Sequence, residues 1–308
     1  MIITSVWISR GSGYSIYPLT KYALPRAGVG TLVKQETLAE GSSYLNRYLR
    51  KIMKTIRMVL ILILCLSANL AFAAAEDDPD KFQLEAITLK FMPGKGLEDL
   101  LALREQFGAF AKAGNMQYDS RILVPWAVSK AALPASDDWD VIWFGVTRNV
   151  LEYADNLSYY VGQGSDIAAS FDEVFTEVGR TMMRGEAIFR SGVYPEENIG
   201  VAMLRTCSLK PGQTMGIAKT AMAEFSEKLS AIGSKGSTFL WTMGPGAAPA
   251  LEGSVIMTRW QPSINAWGET VNAARSNDIS NEVANMNNAM DCSAFRFYLN
   301  YPYYEGLG

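Results

Sequence analysis

The chemistry open to this chain is that of carboxylates, guanidinium groups, phenols, indoles and thiols, because it contains no histidine. Histidine is the usual general base near neutrality and the commonest metal and haem ligand. A Ser-His-Asp triad, a histidine zinc site and a histidine-ligated haem are therefore excluded. Of the three cysteines, Cys65 lies in an apolar run near the start, which leaves Cys207 and Cys292. Two thiols are too few for a thiolate zinc centre but enough for one disulfide. The sequence thus points to no metal and no cofactor. What remains as candidate ligand-binding chemistry is Glu85, Arg190, Arg205, Arg296, Tyr298 and the rings of Trp126 and Trp241. Gathered around one cavity, they would make an aromatic, partly cationic pocket suited to a flat or apolar ligand with an acidic or phenolic group.

Charge narrows the partners. Residues 75–308 carry 19 basic and 29 acidic side chains, a net −10, whereas residues 1–74 carry 9 basic and 2 acidic ones. Nucleic acid and anionic membrane surfaces both call for basic patches, so neither is expected as a partner. The 49% hydrophobic content is that of a chain with a real core.

From Met53 the chain reads as a secretory leader. Lys54 and Arg57 form a basic start, and Met58–Leu66 is apolar but too short to span a bilayer. Ala71-Phe72-Ala73 then has the small-residue form of a cleavage site. Leu64 stands where a lipoprotein would need a small residue before Cys65. The reading is a cleavable signal peptide over 53–74, a periplasmic or secreted product, and no integral membrane segment in the mature protein. Residues 1–52 show no sustained period and read as a misassigned upstream extension, with an extended leader start as the alternative.

The elements that must position the candidate residues occur twice. FQLEAITLKFMPGKG (82–96) is a strand pattern ending in Pro-Gly, followed by helical spacing; IGVAMLRTCSLKPGQ (199–213) is the same. RILVPWAV (121–128) matches STFLWTMG (237–244), and WDVIWFGVT (139–147) matches GSVIMTRWQ (253–261). Helical segments follow, with IAASFDEVFTEVGRTMM (167–183) set against ISNEVANMNNAM (279–290). GEAIFRSG (185–192) and CSAFRFYLN (292–300) close the two copies. Each copy reads β-α-β-β-α-β, the ferredoxin-like unit with strand order 4-1-3-2. The expected class is α+β, with one unit over 75–194 and the other over 195–308. Helices cover one face of each sheet, so the two bare faces are expected to pack together as a barrel.

On the element order, the strand-Pro-Gly-helix turns and the Trp-bearing second strands, the chain over about residues 82–300 resembles the dimeric α/β-barrel superfamily. That superfamily includes antibiotic-biosynthesis monooxygenase-like, EthD-like and NIPSNAP-like proteins; the resemblance is to a fused, two-copy form. It implies a barrel fold and, as one possible activity, cofactor-independent oxygenation. A ligand-binding module and a purely structural envelope protein are the other readings.

The unit also makes a test of itself. Cys207 ends the first strand of the second copy and Cys292 begins its fourth, and these strands are antiparallel neighbours, so the two sulfurs should join. Closing so long a loop contributes about 4 kcal/mol on the entropic account. Strand side chains alternate faces. Met203 and Arg205 then share a face with Cys207, while Arg296 and Tyr298 share one with Cys292; this mixed face is expected to line the barrel. The same rule carried to the first copy sets Glu85 opposite Arg190, as an ion pair closing the barrel or as a ligand anchor. Trp143 and Trp260 sit on strands, and Tyr153 and Trp267 at helix starts, where rings are more often core than ligand box. Gly94-Lys95-Gly96 and Gly162-Gln163-Gly164 read as turns, Asp77-Asp78-Pro79-Asp80 as a solvated tail. The aromatic terminus NYPYYEGLG is expected to cover the barrel or mediate association.

Overall fold

Pro93-Gly94 and Pro211-Gly212 end the first strand of each half in the same turn, with the glycines at φ 81° and 80°. A side chain would be strained there, and the turn sends the chain back over the sheet as a helix. The computed structural model describes residues 78–128, 138–193 and 199–307. The leader-like segment and all that precedes it lie outside them.

The first half runs β1 (Lys81–Phe91), α1 (Leu97–Ala102), α2 (Arg104–Ala113), β2 (Asp119–Ala127), β3 (Val141–Thr147), α3 (Val150–Gln163), α4 (Ser165–Asp172) and β4 (Phe175–Phe189). The second runs β5 (Gly200–Leu209), α5 (Met215–Ala231), β6 (Ser237–Met243), β7 (Val255–Gln261), α6 (Ile264–Ser276), α7 (Ser280–Ala289), β8 (Met290–Cys292) and β9 (Arg296–Glu305). Side-chain caps begin the helices where the sequence supplies them: Asn149 accepts from the Glu152 amide, Thr214 from Ile217 and Ser263 from Ala266. Among the described residues, no helix is long and apolar enough to cross a membrane.

Both halves have the strand order 4-1-3-2, every pair antiparallel. The halves are joined edge to edge, β2 to β9 and β4 to β6, which closes an eight-stranded antiparallel barrel with β8 beside the end of β5. Closure removes the free edges that the two sheets would otherwise present. The aromatic terminus belongs to this closure. β9 continues to Glu305 along β2, and the Tyr303 hydroxyl donates to the Leu100 carbonyl at 3.0 Å.

Two elements differ from expectation. The helix expected over 167–183 stops at Asp172, and Phe175–Phe189 is a strand. Phe171, Phe175, Val178 and Met182 do recur at helical spacing. However, β4 pairs with β1 along the whole of Lys81–Phe91, and that ladder outweighs the local period. The strand expected over 292–300 is instead broken after Cys292. Cys207 pairs with Cys292 and the two form the disulfide, 85 positions apart. Beyond the break, Leu204 pairs with Arg296, so the register has slipped by one residue.

The slip and the closure together correct the expected faces. Ile87, Leu89, Val141 and Trp143 pack under the helices of the first half, and Cys207, Val255 and Met257 under those of the second. The bore is filled at its middle by Leu84, Leu123, Phe144, Met183, Leu204, Trp241 and Tyr298. The face shared by Met203, Arg205 and Cys207, expected to line the barrel, therefore faces helices, while Leu204 lies inside. Arg296 and Tyr298 do point into the bore, because the slipped register puts them beside Leu204 and Ala202.

Candidate functional site

The most chemically loaded place in the molecule is a cavity of about 360 Å³ between the first-half sheet and its helices. Its walls are largely Phe107, Trp143, Tyr160 and Phe171, and Glu85 stands in it. A carboxylate in such a setting needs donors, since an uncompensated buried charge is costly.

Three donors meet it. The Tyr118 hydroxyl donates to Oε1 at 2.7 Å; the Tyr153 hydroxyl and Arg180 Nη1 donate to Oε2 at 3.0 and 2.6 Å. Tyr118 oxygen in turn accepts from Trp143 Nε1 at 2.7 Å, giving a chain from indole to phenol to carboxylate. Arg180 is held on its far side by Glu177, through contacts of 3.1 and 2.8 Å.

Each group is placed by an ordinary local feature. Glu85 lies mid-strand in β1, directly opposite Gly145 in β3. That glycine is required by close approach: a Cβ on it would lie 2.0 Å from the Tyr118 hydroxyl, which reaches across the bare backbone to Glu85. Trp143 is two residues along the same face of β3. Tyr153 stands in the first turn of α3, after the Asn149 cap. Arg180 lies on β4 opposite Ile87, next to the bulge that leaves Val178 unpaired.

The electrostatics follow from burial and from the carboxylate. Burial, then the Glu85 charge, pushes the Tyr118 phenol well above its ordinary value, and the same causes raise Tyr153. Both remain neutral donors over the physiological range. Hydrogen bonding to Glu177 and the Glu85 charge raise Arg180, which stays cationic. A carboxylate offers about four lone-pair positions. Three are taken, and the position left on Oε1 can accept a hydroxyl or N–H from a molecule in the cavity.

The residues singled out from sequence are not brought to one place. Glu85 is in this cavity, facing helices rather than the bore. Arg190 is not its partner: β1 ends before the ladder reaches that far, so Arg190 donates to Asp80 at 3.2 Å and to the Pro79 carbonyl at 2.7 Å. Arg205 lies under the second-half helices against the sulfurs of Met257 and Met286 and over the Phe295 ring. Arg296 and Tyr298 are in the bore, with Arg296 donating to Thr206 at 3.1 Å. Trp241 is also there, stacked on Phe144 at 4.7 Å, whereas Trp126 lies outside the barrel, 45% exposed, edge-on to Trp267.

Sequence reasoning did not find Tyr118, Gly145 or Arg180. Tyr118 and Gly145 carry no local signal for their meeting, and Arg180 was hidden inside a stretch with helical spacing.

No protein-family model matches this chain, and no curated protein matches it in sequence. Among solved structures it is similar to an anthrone oxidase-like protein, at 12% identity over 73% of this chain and 92% of the other, with a TM-score of 0.43. It is also similar to a mutant chlorite dismutase from Candidatus Nitrospira defluvii in complex with cyanide, at 8% identity over 73% and 92%, TM-score 0.41. The likeness is one of fold.

Proposed function

We propose that this is an exported protein that binds a small, largely aromatic or hydrophobic molecule beneath its first-half helices, seating a hydroxyl or N–H of that molecule on Glu85. One observation carries the reading: a buried carboxylate, already aligned by two phenols and a guanidinium, keeps an open acceptor position inside a cavity walled by rings. Cavities of this size hold small ligands, and a few placed polar groups on apolar walls are what orient them. The leader-like segment 53–74 and the disulfide support an oxidising destination, periplasmic or secreted. The matching order of elements supports residues 75–194 and 195–308 as two copies of one unit.

Titration with 2-naphthol, followed by tryptophan fluorescence or calorimetry, tests the site. Saturable binding is expected, weakened about tenfold or more in Glu85→Gln, since a charge-assisted hydrogen bond becomes a neutral one. Tyr118→Phe should weaken it less. Unchanged affinity in Glu85→Gln would remove Glu85 as the anchor. In a second reading the open Oε1 position orients the hydroxyl of a bound quinol, which passes two electrons and two protons to oxygen to give quinone and hydrogen peroxide. Oxygen uptake on adding a reduced quinol, lost in Glu85→Gln, would replace binding with catalysis.

A further inference from the structure

A second cavity, of about 410 Å³, opens at one mouth of the barrel. It shares no lining residue with the Glu85 cavity and is its chemical opposite. Its walls are rings: Phe144 lies 4.7 Å from Trp241 and 5.3 Å from Trp260, and Phe82 meets Phe239 edge-on at 5.8 Å. Among the described residues its unmet side-chain atoms are two donors, on Arg121 and Trp260, and one acceptor, Gln261 Oε1. Arg121 projects inward opposite Phe144. Its Nη2 is engaged by Glu305 at 3.0 Å, but its Nη1 is buried and makes no hydrogen bond among the described residues. The Nε1 of Trp260 is likewise buried without an acceptor. Neither of these two groups can accept a hydrogen bond, so an acceptor entering the cavity would satisfy them. Each lining cation is ion-paired: Lys81 with Asp78, Arg121 through Nη2 with Glu305, Arg148 with Glu152 and Arg190 with Asp80. Asp78 is taken by Lys81, and Asp119 by the amides of Gly306 and Leu307.

From the rings and the two buried, unmet donors, we infer that the barrel mouth is a binding site for a planar aromatic anion, its carboxylate or similar oxyanion set against Arg121 Nη1 and Trp260 Nε1. The rings supply stacking surface for the flat part of the molecule, and the guanidinium supplies the charge-assisted bond that a neutral analogue would forfeit. Burial pulls Arg121 down from its ordinary value, yet leaves it cationic, as a guanidinium in a protein remains.

The probe is 2-naphthoate, titrated calorimetrically into the purified protein, with 2-naphthol as its uncharged counterpart. Saturable naphthoate binding is expected. Arg121→Gln should weaken it about tenfold or more. Trp260→Phe, which keeps a ring but removes the donor, should weaken it roughly threefold to tenfold. Glu305→Gln lies on an exposed side chain and frees Arg121 from its competing carboxylate, so it should tighten binding about twofold to threefold. Glu85→Gln should leave naphthoate affinity unchanged while weakening 2-naphthol, so each site can fail without the other. The inference is overturned by absence of saturable naphthoate binding, by unchanged affinity in both Arg121→Gln and Trp260→Phe, or by a loss in Glu85→Gln as large as in Arg121→Gln. If Arg121→Gln does not fold, Glu305→Gln decides: tighter binding sustains the site, and unchanged or weaker binding removes it.

Discussion

Glu85 in β1 and Met203 in β5 hold the same ladder position in the two halves, yet one is a carboxylate standing in a cavity and the other a buried apolar side chain. Glu85 lies opposite Gly145; Met203 lies opposite Arg259. In the first half, the missing side chain at Gly145 lets the Tyr118 hydroxyl cross to the carboxylate, and rigid rings stand around the space that remains. In the second half, the Arg259 guanidinium fills the corresponding place, donating to Thr238 and Ser234 at 2.8 and 2.7 Å, with no carboxylate. Burial pulls Arg259 down to about 10. Met222, Met257, Met286 and Met290 occupy the rest of that interface. Unbranched methionine adapts to irregular gaps, whereas rings held by hydrogen bonds cannot close in on one another. One arrangement of elements therefore carries a hydrogen-bonded carboxylate among rings in one half and a methionine-rich interface in the other.

The halves also secure their first strands differently. β1 pairs with β4 along its whole length, while the partner of β5 is broken between β8 and β9. The disulfide spans β5 and β8, just before that break.

The contrast can be broken most severely at Glu85. Glu85→Ala leaves two buried phenols without an acceptor and Arg180 with only Glu177, and should cost about 3–4 kcal/mol in chemical denaturation. A loss below about 1 kcal/mol would mean that the cluster is incidental to the fold. Next comes the bridge: Cys292→Ser, or reduction of the native protein, should cost about 3 kcal/mol. An unchanged urea midpoint would show that the interrupted strand needs no covalent support. Gly145→Ala should cost about 2 kcal/mol by overpacking and displace Tyr118 from Glu85. The accompanying sign is a change in Trp143 emission; wild-type emission and stability together would contradict the close approach.

The smallest effect lies at high pH. Tyr118 and Tyr153 have folded values raised above 10.0. Above that pH the unfolded chain releases phenol protons that the folded one still holds, so the stabilisation is intact below pH 10 and declines as pH rises past it. Tyr118→Phe should make that decline shallower; an identical alkaline profile would contradict a buried, neutral Tyr118.

The sequence alone determined the order of elements, the matching Pro-Gly turns, the strand order within each half, and the meeting of Cys207 with Cys292. These follow from local period and from the short list of ways a βαββαβ chain can be connected. It did not determine which face of each strand lines the bore. Alternation reveals which residues lie together, but it identifies the inside only where one face is polar. Here helices cover one face and the barrel encloses the other, so both are apolar. Within that ambiguity, Arg205 follows Cys207 toward the helices, a one-residue slip after Cys292 sent Arg296 inward, and the long ladder to β4 placed Arg180, rather than Arg190, on Glu85. Partnerships between strands distant in the chain were decided by closure of the barrel, because ladder register depends on every strand fitting at once and not on any residue's neighbours in sequence.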